Sequence, residues 1–312
     1  MSGPATRADV ALGGEVPSPV GAGSVDISDS RDAEVGAFRV RRALPRRRRR
    51  SIGAWCFLDH FGPAPVSAEH GLDIGPHPHI GLQTVTWLFV GEALHRDSLG
   101  SEQVIRPGQL NLMTAGNGVA HSEEATGRYS GHLHGVQLWV AQPDVTRSGP
   151  AAFEHHAELP RVELSAGDAT VLVGALDGVA SPARRDTDHV GIDLTLRSGK
   201  TIVPMRADYE YGLVVFIGAV TVDDVRVEPG HLAYLGVGRD ELTLVARGPS
   251  RLIILGGIPF DAPLLMWWNF VARTHDEISD AHRAWQEDDE RFGAVGSPLP
   301  RMNVGPPPWE SP

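Results

Sequence analysis

The 312-residue sequence predicts an all-β protein built as two copies of one β-barrel unit, with a short C-terminal helix. Three observations predict it. Between residues 77 and 141, short β-rich runs are separated by turn residues at Gly91, Gly100, Pro107-Gly108, Gly116-Asn117-Gly118 and Gly131. Strands at that spacing belong to sandwiches or barrels. A pattern of strand, glycine turn, strand, Pro-Gly and strand occurs around Gly91 and Pro107-Gly108, and again around Gly218 and Pro229-Gly230. Near the C-terminus, Thr274-His275-Asp276-Glu277 forms a capping box, and Ile278, Ala281 and Trp285 recur at helical spacing.

Residues 1–35 are rich in Gly, Ala, Ser and Asp without a sustained period, and read as a disordered or loosely packed tail. Phe38 to Leu44 alternates weakly, as a strand does, and precedes Arg46-Arg47-Arg48-Arg49-Arg50. Five like charges in a row usually stay hydrated, so the run reads as a solvated loop rather than an anion-binding patch. Ile52 to Leu58 is apolar and ends in the turn signal Asp59-His60-Phe61-Gly62-Pro63, with His60 expected in a structural role. Gly135 to Ala141 is another strand, and Pro143 to Pro160 reads as the linker between halves. The first barrel is assigned to 36–150 and the second to 151–257. The remainder, 258–312, holds an aromatic segment, one helix to about Glu290 and a Pro- and Gly-rich tail draped over the surface. Trp267 and Trp268 read as packing residues, and His275 and His282 as surface residues.

Composition narrows the function classes. The net charge of -11 argues against direct nucleic-acid binding. Cys56 is the only cysteine, so no intramolecular disulfide can form, which is consistent with a reducing, cytoplasmic setting. No apolar run approaches the roughly 18 residues of a membrane span, and no secretory signal pattern is visible. Lys200 is the only lysine, and nothing around it marks a Schiff-base nucleophile.

The chemistry-bearing stretch runs from His77 to Glu123. It opens with His77-Pro78-His79 and closes with His121-Ser122-Glu123. Side chains at i and i+2 of a strand share a face. His77 therefore pairs with His79, and His121 with Glu123. If the two strands meet in a barrel, three imidazoles and one carboxylate converge, a set suited to divalent iron, manganese, nickel, copper or zinc. The second repeat has Pro204, Arg206 and Thr243 where ligands would fall, so the site is expected once. His95, His134 and Gln137 are candidates for the pocket or for supporting hydrogen bonds.

These residues carry a resemblance. His77-Pro78-His79-Ile80-Gly81, Thr84-Val85-Thr86, His95-Arg96-Asp97-Ser98-Leu99-Gly100, Pro107-Gly108, Met113-Thr114-Ala115-Gly116 and His121-Ser122-Glu123, in that order, resemble the pirin family of bicupins. Asp59 to Pro63, Gln137 to Val140 and the segment from Gly257 to Gly293 resemble it too. The resemblance implies two tandem cupin (jelly-roll-type) β-barrel domains, with one divalent metal, Fe(II) first, in the N-terminal barrel. Its ligands would be His77, His79, His121 and Glu123, with Glu123 also the candidate catalytic base. Cupins often carry a glutamate shortly after the second histidine; here that position is Gln83, which can support a metal by hydrogen bonding but is a poorer ligand. The implied activity is that of a quercetin 2,3-dioxygenase, taking a flavonol and O2. The alternative is a metal- or redox-sensing protein acting through protein partners. A monomer is expected.

Overall fold

The computed structural model describes residues 24–36 and 38–310. Each half of the chain pairs a seven-stranded antiparallel sheet with a four-stranded one. In the N-terminal half the large sheet runs, in spatial order, Ala152–His156, Leu110–Thr114, Leu82–Val90, Gly131–Ala141, Trp55–Val66, Phe38–Leu44 and Arg31–Val35. The small sheet runs Ile74–His79, Val119–Glu124, Ala93–Asp97 and Glu102–Ile105. The C-terminal half repeats this topology, from Asp26–Asp29 at one edge of its large sheet to Arg161–Leu164 at the other. The fold is therefore the tandem pair of cupin-type barrels expected, with one helix, His275–Gln286, among the described residues.

The two large sheets face each other. The core between them joins Trp55, Val85, Trp87, Val136 and Leu138 of the first half to Leu172, Val214, Phe216, Ile253 and Leu255 of the second. Burying these apolar faces removes both from water, as in any sheet-on-sheet packing. Two indoles also satisfy their N–H groups across the boundary. Trp55 Nε1 donates to the Val190 carbonyl at 3.0 Å, and Trp87 Nε1 to Asp193 at 3.1 Å. The interior of the second barrel is filled by its own aliphatic cluster, including Val203, Leu213, Leu242 and Leu244.

Several expectations change. Part of the supposed tail is structured: Asp26–Asp29 pairs with His231–Gly236 of the second barrel, and Arg31–Val35 with Phe38–Leu44 of the first. The rest of that tail, residues 1–23, lies outside the described residues. The supposed linker contains Ala152–His156, which pairs with Leu110–Thr114 and finishes the first large sheet. Asp26–Asp29 and Ala152–His156 cover the corresponding open edges of the two large sheets, whose unpaired N–H and C=O groups need partners. Within the arginine run, Arg46 and Arg49 exchange backbone hydrogen bonds, and the Arg49 guanidinium lies buried 3.3 Å over the Tyr234 ring. Arg47 and Arg48 at the tip stay exposed, as a solvated loop does, while Arg49 packs between the barrels. The helix stops at Gln286, and Asp288 beyond it has a positive φ of 56°. His282 is buried and its Nε2 faces the Val304 carbonyl at 3.1 Å, because the C-terminal tail packs over that helix face.

The C-terminal segment returns to the first barrel as a hairpin, Leu265–Trp267 and Phe270–Ala272. Its docking needs Gly81. This residue has φ +66°, and a Cβ there would stand 2.1 Å from the Val271 carbonyl oxygen. The Gly81→Ala variant is expected to lose about 2 kcal/mol of stability, since neither the backbone conformation nor the carbonyl accommodates it. Urea denaturation checks this through a lower midpoint at unchanged slope.

Candidate metal centre

The strands Ile74–His79 and Val119–Glu124 are antiparallel neighbours, with His121 directly opposite His77 and Val119 opposite His79. Cross-strand partners and i, i+2 neighbours share one face. This register brings the three imidazoles together as the sequence pattern requires. Their ligand atoms all lie within 4.8 Å of one another, and all three residues are buried. His79 Nε2 and His121 Nε2 are 3.0 Å apart.

Hydrogen bonds on the far side of each ring decide which nitrogen carries the proton. His77 Nδ1 donates to the Gly75 carbonyl at 2.9 Å, and His79 Nδ1 to the Asn269 carbonyl at 3.0 Å. His121 Nδ1 faces His95 Nδ1 at 3.4 Å, and His95 Nε2 faces the Asp97 carboxylate at 3.1 Å. Because Asp97 only accepts, His95 donates to it through Nε2. Its Nδ1 is then the acceptor for His121. Asp97 is anchored in turn by the N–H groups of Leu99 and Ser101. Burial works to raise its pKa, but the hydrogen bonds from His95 and Ser101 outweigh burial and hold it below the ordinary carboxylate range. All three cluster imidazoles thus present an unprotonated Nε2.

Burial holds these imidazoles neutral, pushing His77 down to about 4 and His79 and His121 well below their ordinary value. Two facing lone pairs 3.0 Å apart repel each other unless a cation lies against both. Two nitrogens at right angles around an ion with bonds of about 2.1 Å would stand roughly 3.0 Å apart. The donor set therefore fits a divalent metal, and no proton need leave an imidazole for it to bind.

Glu123 lies beyond a register shift that falls between His121 and itself, pairs with Ile74, and faces the same cavity. Its carboxylate stands outside the three-imidazole set. Burial raises its pKa to about 7, opposed by a hydrogen bond from Thr86 Oγ1 at 3.5 Å. The cavity of about 170 Å³ far exceeds the roughly 10–15 Å³ that a single water needs. Phe57, Phe61, Trp139 and Trp268 supply much of its wall. Gln137 also lines it, and accepts a hydrogen bond from Thr86 at 2.9 Å.

Two other candidates fall elsewhere. Gln83 does not line the cavity. The left-handed Gly81 breaks the strand after His79, so the expected shared face is lost. Gln83 pairs with Val140 and Thr114, on the face that Val85 and Trp87 turn toward the second barrel. His134 is also on that side. Its Nε2 lies 2.7 Å from His60 Nε2, and its ring packs against Phe89. It stands three residues before Gln137, and an odd step along a strand turns the two side chains to opposite faces.

Sequence reasoning missed several contributors. The Asn269 carbonyl comes from 190 residues away. Its neighbour Trp268, read as packing, lines the cavity from a turn with φ +53°. Such a conformation is uncommon for a bulky residue, and no local sequence pattern announces it. Phe153, in the supposed linker, stacks on His95 at 4.4 Å between ring centroids.

Tandem cupin-type barrels with a buried three-histidine cluster in one of them define a bicupin metal-site protein. The chain belongs to the pirin family: the Pirin model matches residues 37–140, and that of the Pirin C-terminal cupin domain matches residues 191–293. A relative from Pseudomonas aeruginosa, named "Putative quercetin 2,3-dioxygenase PA1205", is 48% identical and aligns over 90% of each chain. A pirin-like protein of Caulobacter vibrioides is 36% identical, over 83% of this chain and 92% of its own. The crystal structure of quercetin 2,3-dioxygenase from Acinetobacter baumannii superposes with a TM-score of 0.88 at 42% identity, covering 92% of this chain and 97% of that one.

The His95→Ala variant is expected to fold and to bind metal 10- to 100-fold more weakly, since it removes the group that orients His121. Chelator competition measures this. His79→Ala, which removes a central donor, is expected to lose bound metal altogether by elemental analysis.

Proposed function

We propose that this chain is a metal-dependent dioxygenase that opens the ring of a flavonol such as quercetin with O2. One observation carries the reading: three buried imidazoles with converging unprotonated Nε2 atoms open directly onto a cavity walled by aromatic rings. Similarity to the Pseudomonas and Acinetobacter proteins supports the same substrate class. Iron(II) is the metal we favour, with manganese, nickel, copper and zinc as alternatives. A divalent ion held there would supply Lewis acidity and open coordination positions.

The protein's own groups do the rest. Phe57 and Trp139, stacked at 4.0 Å between centroids, offer a flat apolar surface and keep water from the ring. His77, His79 and His121 hold the metal site rigidly, because each ring is fixed from behind. Glu123 would be the fourth donor to the metal and, when free of it, the base that takes the proton of a substrate hydroxyl. In the metal-free site burial raises its pKa to about 7, which favours proton uptake by the unligated carboxylate.

The test is oxygen uptake with quercetin on protein of known metal content. About one metal per chain with saturable, flavonol-dependent uptake is expected, and His79→Ala should lose both. Absence of uptake with all five metals would sink the reading. Glu123 gives a separate pH signature. Below about pH 7 it is protonated in the metal-free protein, and ligation must expel that proton. Calorimetry in buffers of different ionisation enthalpy should show about one proton released on metal binding at pH 6. None should be released at pH 8, and none at either pH in Glu123→Gln.

A further inference from the structure

We infer that the cavity contains a built hydroxyl-recognition row, and that its substrate is a planar aromatic bearing a second hydroxyl besides the one that meets the metal. This deepens the flavonol reading and rests on it for the use of the site. The row follows from strand register. Arg42 lies opposite Asp59, Asp59 opposite Gln137, Gln137 opposite Thr86, Thr86 opposite Asn111, and Asn111 opposite His155. Directly opposed residues share a face. A single polar line therefore crosses six strands on the concave side of the first barrel. It is flanked by an aromatic pair, Phe57 opposite Trp139, on one side, and by Val40 opposite Phe61 on the other.

Such a line inside an otherwise apolar wall is costly unless it is satisfied. Most of it is. Arg42 Nε and Nη2 donate to the two Asp59 oxygens at 2.7 Å each, and Thr86 donates to Gln137 Oε1. The Nδ1 of His155 lies 2.7 Å from Asn111 Oδ1. The exception faces the cavity. Among the described residues, Gln137 Nε2 has no hydrogen-bond partner, and beside it Asp59 keeps acceptor capacity beyond the two bonds from Arg42. One hydroxyl group, accepting from Gln137 and donating to Asp59, meets both needs. The aromatic pair alongside accepts the ring that carries it, and Trp139 leads to His79 at 5.3 Å between centroids. A site that hydrogen-bonds a hydroxyl discriminates against the analogue lacking it, because its own polar groups are then left unpaired.

The test reads binding rather than turnover. Metal-loaded protein is titrated without oxygen with 2,6-dihydroxynaphthalene and with 2-naphthol, and in parallel with quercetin and with 3-hydroxyflavone. The first pair shares one hydroxyl for the metal and differs in the second one. The native protein is expected to prefer the diol roughly tenfold. Gln137→Met should bring that ratio toward one, and Asp59→Asn provides the same readout if the first variant folds poorly. Equal affinities in the native protein, or an unchanged preference in both variants, would overturn the inference. Retained diol preference with no binding of either flavonol would support the row and sink the flavonol reading.

Discussion

Two imidazole nitrogens face each other at 3.0 Å inside a buried space. Around that constraint much of the first barrel is arranged. With both lone pairs turned inward, as a bound metal requires, the pair is repulsive without the ion, and rotating either ring would relieve it. Rotation is prevented from behind: by the Gly75 carbonyl on His77, the Asn269 carbonyl on His79, and the His95-Asp97 pair on His121. Two backbone carbonyls and one side-chain pair fix a single orientation, which makes the cluster a poised binding site rather than a satisfied polar core.

The two barrels share a topology and divide their roles. In the second, the interior is closed by aliphatic side chains, and its large sheet supplies the surface on which the first barrel rests. In the first, the interior is partly emptied, and the stability lost there is offset by the sheet-on-sheet core and by the C-terminal hairpin. That hairpin brings Trp268 into the cavity wall and the Asn269 carbonyl behind His79. Stability of the C-terminal segment and orientation of a ligand are thus the same contact, and Gly81 is what lets the two segments approach.

Much of the site was legible because it depends on strand periodicity. His77 and His79, and His121 after them, needed only a period of two and an antiparallel register. The same reasoning failed at Gln83, where a left-handed glycine resets the alternation. A period-two argument is valid only along an unbroken strand, and that break does not announce itself in composition. His95 was visible as a candidate, but its partner relationship to Asp97 and Phe153 was not, since Phe153 sits on a strand whose sequence resembled a linker.

The sequence by itself determined the repeat, the β class, the helix start and the histidine pairs, because each is written in local pattern: turn residues, i and i+2 spacing, a capping box. The tertiary structure alone decided which edges the short strands at 26–29 and 152–156 would cover, which carbonyl would orient His79, and that Arg42, Asp59 and Gln137 would stand in one row. Those relations join residues far apart in the chain. They are set by cross-strand register and by the docking of one segment on another, and no local pattern of side chains encodes either.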